Sequence, residues 1–324
     1  MELLRIVSML MVLAVHADGA ALGLPALHGE TDKASAYDLW RLAIESIAII
    51  GVNCFTMISG YFGIHLRWRS AASYLFQCAF YSVGIYSILM LIFPGRLSAA
   101  GWAESWLVLS HTDLWYVPAY FGLMLLSPIL NAGIKALDRR QYTLILTAFT
   151  LFNIWCGWWW QGSFNPTGYT LVQLIFVYVI ARYIRLHVSL SSILQHRSTI
   201  AATYLLSTAG IFASSLYMDP LLAFAYNSPF VLLSTVSLFS LFTTIRIQSG
   251  LINYAAQSAF AAYLIHKAPL IWGNVMKPAM LHMQASLAGW QLALAGCCIV
   301  AAFYILAMII DPVRRILSRI LLGR

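Results

Sequence analysis

Two ionisable side chains, Arg5 and His16, lie eleven positions apart in the first hydrophobic segment of the chain. Eleven residues make almost three helical turns, so both side chains project from one face, roughly 16 Å apart along the axis. Ionisable groups are costly in apolar spans and usually face a cavity or a pathway. A neutral imidazole at mid-span can act as a general base. The alternative is a histidine that bonds a neighbouring helix, with Arg5 extended to lipid phosphates, and the spacing does not separate the two.

Two further groups near the second hydrophobic segment are candidates for binding. Arg67 and Arg69 follow this segment. Guanidinium groups bind phosphate in a bidentate manner, although an Arg-x-Arg at a membrane edge is also a common topology signal. Glu45 lies a few residues inside the segment from its other end. It could approach His16, or it could pair with Arg41 one helical turn earlier.

Polar and aromatic residues in two later segments complete the candidate set. Trp115 and Tyr116 open the fourth hydrophobic segment, and His266 lies beside Lys267 in the ninth. A histidine and a lysine are costly within an apolar span unless they line a water-filled vestibule. We predict substrate binding by Trp115, Tyr116 and His266. Glu45 receives the same assignment, and a structural role for each of the four stays open.

The elements that carry these residues are predicted to be membrane helices. The chain has 324 residues, of which 61% are hydrophobic and only 9% charged, and its mean hydropathy is +0.80. Soluble domains carry about 25% charged residues. The composition therefore predicts an all-α, polytopic membrane protein. Hydrophobic stretches of about 20 residues predict ten transmembrane helices, at approximately 3–25, 39–64, 71–93, 113–132, 141–161, 168–186, 198–217, 225–245, 251–275 and 286–310.

The distribution of basic residues predicts that both termini are cytoplasmic. Of the 19 lysines and arginines, fourteen fall on the membrane side where the N-terminus lies. Five fall on the opposite side or at the outer ends of helices. This bias follows the positive-inside rule for an even number of spans. It also explains the net charge of +8. No basic patch interleaved with aromatic residues occurs in a soluble region, so we expect no nucleic-acid partner.

The chain divides into a membrane domain, 1–310, and a basic amphipathic cytoplasmic tail, 311–324. The tail is predicted to lie on the inner membrane surface, and we assign it no chemistry. The first segment also resembles a secretory signal peptide, with small residues around Ala17. Cleavage there would remove both Arg5 and His16, and we expect the segment to be retained. The five cysteines all lie in apolar stretches, which indicates neither a disulfide framework nor a metal site.

These motifs together resemble the acyltransferase-3 family of membrane acyltransferases. The resemblance extends from Glu2 to about Asp311 and is poor from about 187 to 245. It rests on four motifs in this order: Glu2-Leu3-Leu4-Arg5 with His16; Phe55-x-x-Ile58-Ser59-Gly60-Tyr61 followed by Arg67-x-Arg69; Leu114-Trp115-Tyr116; and Tyr263-Leu264-Ile265-His266. Members often have an aspartate three residues before the arginine, and Glu2 keeps the charge at that position.

The resemblance implies an O-acyltransferase of the bacterial inner membrane. Members of the family move an acyl group, usually acetyl, from cytoplasmic acyl-coenzyme A to a hydroxyl group of a cell-envelope polysaccharide or lipid-linked glycan. The resemblance implies that Arg5 and His16 are needed for activity and that Arg67 and Arg69 lie on the donor side. Acetyl-coenzyme A is the expected donor and no metal is expected. The acceptor and the oligomeric state stay open.

The sequence leaves alternatives open at two levels. Within the enzyme, His16 acts either as a general base or as the carrier of the acyl group. A polytopic glycan or lipid transporter without acyl transfer would also place polar groups at mid-depth. Such transporters often contain paired repeats, and we detect no internal symmetry. A purely structural membrane subunit would leave Arg5, His16 and Lys267 without a purpose.

Overall fold

The structure, a computed structural model, describes residues 1–110 and 114–323, and only the backbone at residue 32. The described residues form helices joined by loops and turns, and they contain no β-strand. The α-helices are α1 (Glu2–Val15), α2 (Ala36–Ala48), α3 (Gly51–Phe62), α4 (Trp68–Ile92), α5 (Ala99–Glu104), α6 (Tyr116–Ala136), α7 (Arg139–Phe152), α8 (Leu171–His187), α9 (Leu190–Gln195), α10 (Arg197–Tyr217), α11 (Pro220–Ala223), α12 (Pro229–Thr243), α13 (Gly250–Gln257), α14 (Ala259–His266), α15 (Pro269–Ile271), α16 (Lys277–Ser286) and α17 (Gly289–Leu322).

Six helical runs within the described residues are long and apolar enough to cross a membrane. They are Glu2–Ala20, Ala36–Phe62, Trp68–Ile92, Tyr116–Ala136, Arg197–Tyr217 and Gly289–Leu322. A helix satisfies its own backbone hydrogen bonds, which is why such runs can enter a bilayer. The protein is therefore an all-α, multi-pass membrane protein. Each of the ten predicted segments contains a helix, and the count of ten spans stays a prediction. Asp113, where the predicted fourth segment begins, and Arg324 lie outside the described residues.

The helix α1 packs against α2, α3, α13, α14 and α17. Two glycines of α3 allow close packing on either side. A Cβ atom at Gly51 would lie 2.7 Å from the Ser8 carbonyl oxygen of α1, and one at Gly60 would lie 2.7 Å from the Tyr178 carbonyl oxygen of α8. Small residues let helix backbones approach in this way. The first helix, which carries Arg5 and His16, is thereby held inside the bundle.

Irregular turns interrupt several of the predicted helices. The first span changes at His16 from α-helix to a π-helical turn, His16–Ala20. A short break at Ile49 and Ile50 separates α2 from α3, and another at Ser258 separates α13 from α14. Turns of the π type often occur at functional sites because they redirect side chains. Here the widened turn begins at the candidate base itself.

The last helix differs from the predicted division of the chain. The helix α17 has 34 residues and runs from Gly289 to Leu322 without interruption, so the predicted boundary at 310 falls inside it. Its length is about 51 Å, well beyond an apolar core of about 30 Å. The side chains of Asp311 and Arg314 are buried against the protein, whereas Ile320 is exposed. The polar face of the tail is therefore turned toward the bundle.

Candidate active site

The structure joins two histidines that lie 250 positions apart in the sequence. The Nδ1 atom of His16, at the end of α1, lies 2.8 Å from the Nε2 atom of His266, at the end of α14. His266 is fully buried, whereas His16 is only partly buried. The π-helical turn at His16 and the break after His266 place both imidazoles at the ends of regular helices.

Hydrogen bonds fix the tautomers of this pair. The Nδ1 atom of His266 lies 2.7 Å from the backbone oxygen of Ala262, which can only accept a hydrogen bond. For neutral imidazoles, His266 therefore carries its proton on Nδ1 and accepts at Nε2. His16 must then donate from Nδ1, which leaves its Nε2 atom unprotonated. The Ala262 carbonyl, His266 and His16 thus form a chain of hydrogen bonds, and such chains orient catalytic imidazoles.

Aromatic rings and one cation surround the pair. The ring of Trp272 lies 6.0 Å from the ring of His16, and the ring of Tyr263 lies 6.4 Å from it. The ammonium group of Lys267 lies over Trp272, 4.0 Å from the ring centroid. The sequence singled out Lys267 for its cost in an apolar segment. The structure places its charge beside the imidazoles, where it would stabilise negative charge on a reacting oxygen.

A cavity of about 540 Å³ approaches the histidines from the side of the chain's N-terminus. Arg5 lines this cavity and donates to Glu2 at 2.7 Å. Its deeper wall includes Tyr116 and Phe260. His16 does not line the cavity. The ring of Tyr263 lies between, 6.0 Å from the ring of Phe260 and 6.4 Å from that of His16. The ring of Tyr263 thus separates the end of the cavity from the candidate base.

Arg67 and Arg69 lie outside this cavity. Both side chains are exposed where α4 begins, and Arg69 lies over the Trp68 ring at 5.6 Å. Ser73, one helical turn after Arg69 and on the same face, does line the cavity. Neither arginine lines the cavity, and Arg69 lies one helical turn from a residue that does. Their contact with a donor stays a prediction.

The carboxylates at the far end of α1 form a second polar cluster. Arg41 donates from Nε to the Asp18 carboxylate at 2.8 Å and from Nη2 to the backbone oxygen of Gly23. Arg41 therefore forms its ion pair with Asp18. Glu45 is buried, and its Oε2 atom has no hydrogen-bond partner among the described residues. A Cβ atom at Gly19 would lie 3.0 Å from Glu45, so the carboxylate lies against the turn that carries His16.

Sequence reasoning overlooked Asp18 in this cluster. An aspartate two positions after His16, inside an apolar segment, is as costly as the histidine and should have marked the site. The ion pair with Arg41 explains how that cost is offset. Glu45, by contrast, was predicted, and the structure places it within one helical turn of His16, against Gly19.

Trp115 and Tyr116, predicted as one binding pair, face different spaces. Trp115 lines an open cleft of about 500 Å³ together with Tyr169, and their rings lie 5.3 Å apart. Tyr116 lines the cavity that contains Arg5. Its ring also lies 6.0 Å from that of Tyr263. The tyrosine that completes the cleft, Tyr169, lies in a loop outside the motifs and could not have been found from spacing.

The described residues contain no group of three or more histidine, cysteine, aspartate or glutamate side chains that could hold a metal ion. In comparisons with known proteins, a family model described as an acyltransferase domain matches residues 1–311. Neither a curated protein nor a solved structure matches the chain significantly.

Proposed function

The chain belongs to the acyltransferase-3 family, and we propose that it transfers an acetyl group from cytoplasmic acetyl-coenzyme A to a hydroxyl group of a cell-envelope polysaccharide or lipid-linked glycan. Acyltransferase activity follows from family membership, whereas the donor, the acceptor and the bacterial inner membrane are part of the proposal. One observation carries the proposed chemistry. The hydrogen bond from His16 to His266 leaves the Nε2 atom of His16 available as a base.

In the proposed reaction His16 is the general base. Its Nε2 atom removes the proton from the acceptor hydroxyl while the hydroxyl oxygen attacks the carbonyl carbon of the thioester. The tetrahedral intermediate collapses as the carbon–sulfur bond breaks, and the imidazolium returns its proton to the departing thiolate. Lys267 would stabilise the oxyanion of this intermediate, because its charge lies beside the same rings. Products are the O-acetylated glycan and coenzyme A.

The donor is proposed to enter through the cavity that Arg5 lines. Arg67 and Arg69, at the approach to this cavity, would attract the phosphates of coenzyme A. The thioester would then follow the face of α13 and α14 past Phe260, with the ring of Tyr263 turning aside to admit it. From Phe260 to His266 is six residues, or about 9 Å along the helix.

The acceptor is proposed to reach the base from the far side. Trp115 and Tyr169 form an aromatic-walled cleft there, and sugar rings stack on such surfaces. Glu45 has a buried oxygen beside the π-helical turn, and this oxygen has no hydrogen-bond partner in the described part of the chain, which suits a hydrogen bond from a sugar hydroxyl. In this proposal the base receives its donor from the cationic cavity and its acceptor from the aromatic cleft.

Replacement of His16 tests the proposal directly. A host strain that lacks the protein is complemented with the wild type, with His16→Ala or with His16→Gln, and the envelope glycans are compared by mass spectrometry. We expect acetylated glycan from the wild type and a loss of at least about 100-fold with either variant, the usual contribution of a general base. Acetylation at wild-type levels by a well-expressed His16→Ala protein would refute the assignment.

The second chemical route, in which His16 itself is acylated, has its own test. Purified protein is mixed with acetyl-coenzyme A labelled in the acetyl group, without acceptor, and quenched. Label bound covalently to the wild type and absent from His16→Gln would favour the acyl-histidine route over direct transfer. A glycan transporter would bind no acetyl-coenzyme A at all, so reversible binding of the same labelled donor, measured without the quench, separates the transporter alternative, which no structural observation favours.

A further inference from the structure

The cavity on the N-terminal side contains more positive charge than the motifs of the sequence indicate. Besides Arg5, it is lined by three arginines of the last helix, Arg314, Arg315 and Arg319. The tail was assigned no chemistry, yet its polar face forms one wall of the cavity through which the donor is proposed to enter. Among the described residues that line the cavity, none is a carboxylate.

A buried carboxylate orients two of these arginines. Asp311 is fully buried and accepts two hydrogen bonds from Arg314, each 2.9 Å long. The Nε atom of Arg315 lies 3.2 Å from the same carboxylate, and the Tyr81 hydroxyl donates to it at 3.0 Å. The two hydrogen bonds restrict the guanidinium group of Arg314 to a narrow orientation, and the ion pair keeps Arg315 beside the same carboxylate. The arrangement is therefore a preorganised cationic wall rather than a solvated charge cluster.

Arg315 is held from two further directions. Its Nη1 atom donates to the side-chain oxygen of Gln257, which also lines the cavity. The ring of Tyr254 lies under its guanidinium group, 5.4 Å away. Arg319, one turn beyond Arg315 on the same helix, lines the cavity and has an exposed side chain. The three arginines extend along the helix from Asp311 toward its end.

The charges in this wall do not cancel. Within the described ranges, four guanidinium groups line the cavity, and the carboxylates bound to them are those of Asp311 and Glu2. Two positive charges are left in excess. Guanidinium forks match the geometry of phosphate oxygens, and a concave cationic site favours a ligand with several negative charges. Coenzyme A carries such a set at its nucleotide end, namely a 3′-phosphate and a diphosphate.

We propose that Arg314, Arg315 and Arg319 bind the phosphates of the nucleotide end of the acyl-coenzyme A donor. The inference rests on the proposed function and adds a donor site that the last helix supplies. Arg5 lies in the same cavity, about 16 Å along α1 from His16. An extended pantetheine arm leaving the arginines would thus point toward the histidines. Arg67 and Arg69 would act earlier, on the approach.

The test compares a ligand that has the phosphates with one that lacks them. Wild-type protein in phosphatidylcholine nanodiscs is titrated with acetyl-coenzyme A and with S-acetyl-pantetheine by calorimetry. We expect Arg319→Gln and Arg315→Gln each to weaken acetyl-coenzyme A binding by about tenfold or more, the loss of one charge-assisted hydrogen bond. Binding of S-acetyl-pantetheine should stay unchanged. Arg140→Gln, an exposed arginine of α7, is the matched control and should bind both ligands normally.

Three results would overturn this site, and each is distinct. Unchanged acetyl-coenzyme A affinity in both variants removes the arginines from donor binding. Equal weakening of both ligands shows a general disturbance of the fold rather than a phosphate contact. If Arg319→Gln keeps its acetyl-coenzyme A affinity but loses phosphatidylglycerol retained on purification, seen by native mass spectrometry, the occupant is a lipid headgroup. A wild type that binds neither acetyl ligand would instead contradict the proposed function itself.

Discussion

At the scale of single residues, the chemistry depends on which nitrogen of His16 carries a proton. The backbone oxygen of Ala262 determines the tautomer of His266, and His266 in turn determines that of His16. His266 was predicted to bind substrate. Its full burial and its two hydrogen bonds favour a positioning role, in which it acts through His16.

Two substitutions of His266 distinguish positioning from packing. His266→Leu fills similar space but offers no acceptor to the Nδ1–H of His16, so we expect kcat to fall by about 100-fold with little change in KM. His266→Gln retains an acceptor oxygen and should recover part of that rate. Coenzyme A release is measured with purified protein and envelope glycan from a strain lacking the enzyme, across a range of pH values.

The pH profile provides the readout that a merely structural role would not change. If His266 orients the base, loss of its hydrogen-bond acceptor should also shift the part of the pH profile in which kcat rises with pH. The reason is that the tautomer and environment of His16 change together. Equal losses in the leucine and glutamine variants, with the limb in its wild-type position, would contradict the positioning role.

At the scale of helices, the sequence predicted where helices form but not where they break. Long apolar stretches can only be helical in a bilayer, so hydropathy places helices within all ten predicted segments. The break at Ile49 and the π-helical turn at His16 depend on contacts with other helices. No local pattern encodes those contacts. The partnership of His16 with His266 is missing from the sequence for the same reason.

The tail shows how an amphipathic pattern can mislead. Its apolar residues were assigned to one face and its arginines to the other, which suits a helix on a membrane surface. The same pattern also suits a helix that turns its polar face to the protein, and Asp311, Arg314 and Ser318 are buried against the bundle. Periodicity determines the two faces but not which neighbour each face meets. The three arginines that the last helix contributes to the cavity were overlooked for this reason.

Packing of α3 against α1 gives a prediction at the same scale. In Gly51→Ala the new methyl group would lie 2.7 Å from the Ser8 carbonyl oxygen and 2.9 Å from Met11 Cβ, so the two helices must separate. We expect a destabilisation of about 1–3 kcal/mol from overpacking. Gly84→Ala, inside α4, meets no atom of the described residues within 4 Å and is the control.

Thermal unfolding in nanodiscs measures both glycine variants under identical conditions. Gly51→Ala should unfold at a lower temperature than the wild type, while Gly84→Ala should unfold at or slightly above it, because alanine favours the helix. The same Tm for the two variants would show that the close contact between α1 and α3 does not limit stability.

At the scale of the whole molecule, the candidate residues line two different spaces. The arginine-lined cavity lies on the side where both Arg5 and Arg319 are found, so the beginning and the end of the described chain share one side. The aromatic cleft of Trp115 and Tyr169 is a separate space. Neither space is lined by the histidine pair. Under the proposed function, the donor enters by the first space and the acceptor by the second, from opposite sides of the membrane.

This separation predicts that the enzyme accepts acetyl-coenzyme A from one side of the membrane and not from the other. Acetyl-coenzyme A is too charged to cross a bilayer, and the bias of basic residues predicts that the arginine cavity faces the cytoplasm. Sealed inside-out vesicles supplied externally with labelled acetyl-coenzyme A should therefore incorporate label into glycan, and sealed right-side-out vesicles should not. Detergent should equalise the two preparations, which controls for enzyme content. Labelling by intact right-side-out vesicles would place the arginine cavity on the outer face and reverse the proposed direction of transfer, because the donor would then have to arrive from outside the cell.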